Sequence, residues 1–524
     1  MRFAMIRGLS PWMLVGVWAC SGSGPTDGAD CDEIEAYADR DGDGYGAGEV
    51  VRICVEAFTE GGWAEGSGDC DDARADVYPG AADAWYDGVD HDCAGNDDYD
   101  QDGDGASAYG APTGSADDCF DEDPERRPGV ALNDPGTGVI GAEAPTLWSG
   151  EPWVADLGPA QVLTPTDGSS EHHATVAWTS DGHIAVAYQL GSGNAAEARA
   201  MLLDDDLNVT VVPFSVHGTG MGGKPDVEAN AFGVWVTWQN NNGGVAVRRY
   251  TEALVSLGDA AEVFTSDLEA EGPDLALTED GTVSVVWNVD GDPTALGYDA
   301  YRTFDPNLEP LTEAVSLKAT GRSVADAVPV GAGLVSVGTD KATPPDGMVA
   351  TVYGVRVDSD GCQWEFRADG GGTDWPSRPA VDEGEGTLAV AWRQKTPPSD
   401  GTGAYGRLFD ESGVALGPPL ELMPLPNDGN RVVVRVFEDT VLYAWEASED
   451  GVLGVHAWLL DRQTGQARMD RIRVSDPLEV GERPSIDVRA VADGVEAIVT
   501  WETPDGLGGH YLMARRVTFR PDGP

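Results

Sequence analysis

The sequence predicts a mainly β protein: a seven-bladed β-propeller from about residue 150 to 524, preceded by a loop-rich region dense in Asp, Gly and Cys. Three observations carry this. The 524 residues include 69 Gly, and short alternating apolar runs are common while long helical patterns are scarce, which is the composition of strands and turns. A unit of about 50 residues recurs through the C-terminal part, within the range of propeller blades. The last unit stops after its third strand, while a fourth-strand-like segment, Leu157–Thr164, precedes the first unit. Such a segment can complete the last blade and close the ring, which hides an otherwise open sheet edge.

From the N-terminus, Arg2 and Arg7 flank a mostly apolar run, Leu9 to Ala19, too short to span a bilayer. Residues 1–19 therefore read as a signal peptide. The end, Val17-Trp18-Ala19-Cys20, resembles a bacterial lipobox, although Trp18 is unusual there, so lipidation of Cys20 is expected and ordinary signal-peptidase cleavage is the alternative. Ser21, in place of Asp, favours the outer membrane by resemblance to lipoprotein sorting. Residues 20–30 read as a flexible tether.

Residues 27–129 hold 23 Asp and 8 Glu against 5 Arg, a net of −26 with few apolar residues. Without cations such a segment should repel itself and stay loose. Its carboxylates follow a pattern. Asp39, Asp41, Asp43 and Gly44 fill the first, third, fifth and sixth places of a calcium loop, with the Tyr45 carbonyl at the seventh. Val50 stands where an EF-hand needs its bidentate Glu, so this is not an EF-hand, and the remaining ligands are expected from Asp69, Asp71 and Asp72 around Cys70. A further acidic cluster, Asp87, Asp90 and Asp92, leads into Cys93. The pattern then partly recurs as Asp100, Asp102, Asp104 and Gly105, followed by Asp118, Cys119 and Asp121; with no counterpart of Cys93, this copy is degenerate.

DxDGDGYG, then CDD with PGA, then DGxDxDC, resembles the MopE-type metal-binding motif of secreted myxobacterial-type proteins, and more loosely the thrombospondin type 3 calcium repeats. The resemblance covers about a fifth of the chain and implies cation binding, which the family's name links to copper. The ligand chemistry argues otherwise. Carboxylates and carbonyls suit Ca²⁺, copper prefers imidazole and sulfur, and His91 is the one histidine of the region. Calcium is the expected ion and copper the alternative; an acidic, disordered spacer between anchor and cargo is the bland reading.

With Cys20 lipidated, six cysteines remain, and in an exported protein disulfides are their default state. Neighbour pairing gives Cys31–Cys54 and Cys70–Cys93. Cys119 and Cys362 either pair or stay free, which the sequence leaves open. The acidic disulfide-bonded repeats span 31–129 and a linker spans 130–150.

In the repeats over 151–524, second strands end in an aromatic at Tyr188, Trp238, Trp287, Trp392, Trp445 and Trp501. A weaker unit, Gly333-Leu-Val-Ser-Val-Gly-Thr339, fills the remaining place and lacks the aromatic. Tryptophans at a fixed strand position read as blade-to-blade core rather than as sugar-stacking platforms. The His172-His173 pair reads as a solvated loop, with a copper site the less favoured alternative.

The net charge of −59 argues against nucleic acid and anionic membrane surfaces as partners. Membrane contact is expected only through the lipid anchor, and the chain is expected to be a monomer at the cell envelope, on the outer membrane or cell surface, or else secreted. No catalytic constellation is recognisable, and no Arg or His is seen to recur at a channel position. The favoured function is non-catalytic: a calcium-binding lipoprotein presenting a propeller for surface binding or adhesion to a glycan or protein. An exported glycan hydrolase or lyase is the alternative, and a purely structural envelope protein the second.

Overall fold

In the computed structural model, the described residues are 31–523 apart from 96–97, 113–117, 124–125, 127–130, 134–139, 219–221, 241–242, 266–269, 290–297, 320–325, 343–348, 371–374, 396–400 and 428–430. The signal segment, Cys20 and the tether lie outside them. Two compact units divide the chain, 1–101 and 102–524.

The first unit is built on a small sheet. β1 (Glu33–Ala38) pairs antiparallel with β2 (Tyr45–Cys54), flanked by β3 (Trp63–Ala64) and β4 (Gly66–Ser67); a single helical turn, α1 (Val55–Thr59), follows β2. Beyond residue 67 the described chain of this unit is turns and bends. Few apolar side chains are buried here, Ala36, Ala64 and Val77 among them. Cross-links do part of the work of a core: Cys31 is bonded to Cys54 and Cys70 to Cys93.

The second unit is a β-propeller. Among its described residues it forms seven antiparallel sheets, six with their strands side by side in chain order and the seventh with an early strand at its outer edge. The innermost strands, Glu171–Trp178, Gly222–Asn230, Ala270–Leu277, Asp326–Val330, Trp375–Gly384, Val432–Phe437 and Glu482–Val491, neighbour one another in a closed circle, the seventh lying against the first. Closure is by chain ends. The last strand, His510–Pro521, pairs with Trp153–Leu157 and with Gln161–Val162, so its open edge is covered within the chain.

The apolar core is seven slabs, one between each pair of adjacent sheets. Each recurrent aromatic packs on the preceding sheet: Trp238 against the first, Trp287 against the second, Trp501 against the sixth, and Tyr188 of the first against the seventh. These rings are buried, so they are core and offer no stacking platform. In the fourth sheet Gly338 takes the aromatic's place. A Cβ there would meet the Tyr353 hydroxyl at 2.5 Å, and that hydroxyl donates to Asp299 at 2.6 Å. The missing ring is thus supplied from the adjacent strand.

Cys119 is bonded to Cys362, both within this unit. Within the expected linker, 130–150, described residues bond to outer parts of the sheets: the Leu132 N–H donates to Glu365, that of Glu143 to Pro419 and that of Trp148 to Ala467.

Candidate metal loops and propeller channel

The turn between β1 and β2 is held by its own carboxylates. Asp39 accepts the N–H of Gly42 at 2.7 Å and of Gly44 at 3.3 Å, Asp41 that of Asp43, and Asp43 that of Tyr45 at 2.8 Å. Gly42 and Gly44 have φ of 85° and 100°, where a side chain is disfavoured, so the Gly places are dictated by the turn. One oxygen from each of Asp39, Asp41 and Asp43 lies within 4.8 Å of the others. Asp69 joins them from 26 residues on in the chain. Burial pushes its carboxyl up, the Asp71 N–H opposes this, and the charges of Asp43 and Asp41 add to the rise. After these turns are satisfied, Asp41 Oδ2, Asp43 Oδ2 and Asp69 Oδ2 remain buried without a hydrogen-bond partner.

The two other expected ligands are used differently. Asp72 accepts the Arg40 N–H at 2.9 Å, locking the two stretches together. Asp71 is exposed and engages through its backbone, its N–H donating to Asp69 and its carbonyl accepting from Ala73 and Arg74. Tyr45 opens β2 and stacks on Tyr78, with ring centroids 5.4 Å apart.

The second copy has the same construction. Asp100, Asp102 and Asp104 group within one five-residue stretch, and Asp118 accepts the Phe120 N–H at 2.8 Å as Asp69 accepts that of Asp71. Asp118 is 2% exposed. Burial raises its carboxyl to about 6, the Phe120 N–H opposes, and Asp104, Asp102 and Asp121 add to the rise.

Around Cys93 the carboxylates again cap turns. Asp87 accepts the Val89 N–H, Asp90 that of Gly95 and Asp92 that of Ala94. Asp83 and Asp98, which sequence reasoning missed, accept the N–H groups of His91 and Gly88. Asp83 Oδ2, Asp90 Oδ1 and Asp98 Oδ1 are buried without a partner, whereas Asp87 is exposed. His91 is buried with Nδ1 3.1 Å from the Val89 carbonyl and Nε2 3.4 Å from Arg74. Both ring nitrogens therefore face protein partners.

A buried ionised carboxylate oxygen with no donor is costly. A cation placed among these oxygens removes that cost, and an all-oxygen donor set fits a hard ion.

In the propeller, polar groups recur on the channel. The residue after the aromatic of a second strand accepts a backbone N–H from the next sheet's innermost strand: Gln189 from Lys224 at 2.9 Å, Glu446 from Arg483, and Glu502 from His173 at 2.9 Å. The N–H donors are left-handed, as are Gly272 and Arg378 at the equivalent place. These bulges turn His173, Lys224, Arg378 and Arg483 toward a cavity of about 630 Å³ that Arg431 also lines. The sequence reading found no such recurrence; the signal was the basic-Pro doublet opening a unit, Lys224-Pro225, Arg378-Pro379 and Arg483-Pro484.

Deeper in the same cavity is a ring of carboxylates. Asp226 accepts the Leu275 N–H, Asp274 that of Ala327, Asp326 that of Val381, Asp382 that of Val436 and Asp487 that of Trp178, at 2.6–3.1 Å. Each ties its sheet to another. Burial raises Asp226 to about 6 and Asp382 to about 7, and holds Glu228 and Asp274 well above the usual carboxylate range. Arg435 is the counter-charge, 3.5 Å from Glu228 and 3.6 Å from Asp487.

His172 and His173 lie on the first innermost strand rather than in a loop. His172 sits between the Ser170 hydroxyl at 2.7 Å and Glu502 at 2.9 Å. Arg483 reaches both Glu502, at 3.0 Å, and His172 Nδ1, at 3.1 Å. Glu502 can only accept at Nδ1 and Arg483 can only donate there, while Arg483 and Glu502 are themselves paired, so the two partners pull the imidazole toward opposite tautomers. The contacts tie the first innermost strand to the seventh sheet.

A family model described as "Putative metal-binding motif" matches residues 69–99 and 118–131. No curated protein matches the chain. Among solved structures, a protein of unknown function from Dyadobacter fermentans is similar at 10% identity and a TM-score of 0.45, covering 70% of this chain and 99% of that one. The β-propeller domain of the Trilobed protease from Pyrococcus furiosus is similar at 10% identity and a TM-score of 0.41, covering 68% and 94%. Neither likeness is strong enough to carry an argument, and the propeller stands on its sheet order and circular strand contacts.

Proposed function

We propose that this chain is an exported calcium-binding protein whose acidic loops are ordered by the ion, and whose propeller binds a ligand without catalysis. The observation that carries it is the set of buried, unpartnered oxygens of Asp41, Asp43 and Asp69 beside Asp39. The engagement of both His91 nitrogens supports calcium over copper. Three disulfides support an oxidising, extracellular or envelope setting, and Cys20 is the proposed lipid attachment point. Among the described residues no helix is long and apolar enough to cross a membrane.

Calorimetric titration of the full chain with Ca²⁺ and, separately, Cu²⁺ tests the proposal. Calcium binding that weakens at least tenfold in Asp41→Asn and Asp43→Asn is expected; copper binding without calcium binding would overturn it.

One observation favours the enzyme reading: the channel gathers carboxyl groups raised toward neutrality, Asp382 among them, as acid–base catalysts are. Five of these carboxylates, however, accept another sheet's backbone N–H, a packing role that accounts for their place. Glycan turnover abolished by Asp382→Asn would establish the enzyme reading.

A further inference from the structure

We infer that the cationic mouth of the propeller channel binds an acidic saccharide, its anionic group held by Arg378 and Arg431 and its hydroxyl-rich body turned toward the carboxylate ring. The inference rests on the propeller being a ligand-binding body and is independent of the metal loops.

The chain has 32 Lys and Arg against 91 Asp and Glu, so a convergence of cations is the unexpected feature on its surface. Lys224, Arg378, Arg431 and Arg483 come from four different sheets to one cavity, with His173 from a fifth. Their charges act on one another. Burial and then Arg393, Arg431 and Arg483 lower the Arg378 guanidinium. Burial and then Arg431, Arg483 and Lys224 push the His173 imidazole down to about 3.

Like charges brought together cost stability unless something offsets them. Arg483 has such an offset, since Glu502 takes its guanidinium at 3.0 Å. Arg378 and Arg431 have no such contact: among the described residues neither guanidinium has a hydrogen-bond or ion-pair partner, although the Glu446 carboxylate, beyond ion-pair distance, favours the charge on Arg378. Two planar forks facing open space in a concave site are suited to a carboxylate or sulfate.

The cavity's volume, about 630 Å³, is that of a small-molecule site. Its floor limits what enters. Asp226, Asp274, Asp326, Asp382 and Asp487 would repel a second anionic group below the first, yet they offer acceptors, and where protonated donors, to hydroxyls. A ligand with one acidic end and a hydroxyl-rich body matches both layers. A bare polyanion matches only the upper one.

The test is calorimetry on the full chain with trigalacturonate, glucose 6-sulfate, neutral maltotriose and inorganic phosphate, each at low and high salt. Binding of an acidic sugar that weakens with salt, with maltotriose at least tenfold weaker, is expected. The carboxylate and sulfate arms identify which acid group is taken. Arg378→Ala with Arg431→Ala should reduce binding at least tenfold at an unchanged Tm, and Arg378→Lys with Arg431→Lys should retain part of it. Phosphate binding as tightly as the acidic sugars would overturn the saccharide assignment. Maltotriose binding equally well, insensitive to the Arg variants, would overturn the anionic site while leaving the propeller a binding body. Binding of no probe, at a calcium affinity that is intact, would overturn the inference and leave the metal reading standing.

Discussion

The acidic loops and the propeller channel are both lined with aspartate, but they spend it differently. In the first loop Asp41, Asp43 and Asp69 each use one oxygen on a backbone N–H two residues away, and the other oxygen is left buried and unpartnered. In the channel the partner N–H lies about 50 residues away on another sheet or, for Asp487, 309 residues away where the ring closes. Arg435 offsets the accumulated charge. The difference is one of completeness. The channel carries a counter-charge of its own in Arg435, whereas on the proposed function the loops take theirs from solution.

The largest effect expected from that contrast is on metal removal. Chelation should abolish the protease resistance of the first unit and leave the propeller's unfolding transition in place. At calcium a hundredfold above Kd, the ion contributes about 2.7 kcal/mol to whatever it binds. Loss of both units together would break the comparison, because the propeller would then share the dependence.

The reverse experiment perturbs only the propeller. Trp287 is fully buried between the second and third sheets, and Trp287→Ala should cost about 3–5 kcal/mol. This would be read as a lower Tm of the propeller transition with an unchanged calcium titration.

A smaller effect sharpens the electrostatic side. Burial raises Asp382 to about 7 in the folded chain, above its ordinary value of 3.8. The folded state therefore holds its proton more tightly than the unfolded one, so its contribution is full below about 4 and is lost as pH rises through about 7. The Tm of the parent minus that of Asp382→Asn should fall across this window. A flat difference would mean that Arg435 neutralises Asp382 completely.

Much of the fold was legible because its causes are local or periodic. Alternation and turns mark the strands, the recurrent aromatic marks the second strand of most sheets, and the cysteine spacing fits the bonds Cys31–Cys54 and Cys70–Cys93. Tyr353 filling the place above Gly338 was not legible, since the replacement sits on another strand and leaves no pattern along the chain. In the loops, Asp39, Asp41 and Asp43 were readable from spacing alone. Asp83 and Asp98 were missed, because the N–H groups they cap lie 8 and 10 residues away in chain with no regular period.

What the sequence determined by itself is thus what neighbours in the chain can decide: the β class, the repeat, the acidic turns with their glycines. The tertiary structure decided which distant groups share a space. It bonded Cys119 to Cys362, which the spacing left open. It set Arg483 beside His172 across 311 residues, and brought Lys224, Arg378, Arg431 and Arg483 to one channel mouth. The physical reason is that a ring of sheets converts equivalent positions in successive repeats into neighbours, so a site is assembled from residues that no single stretch of chain contains.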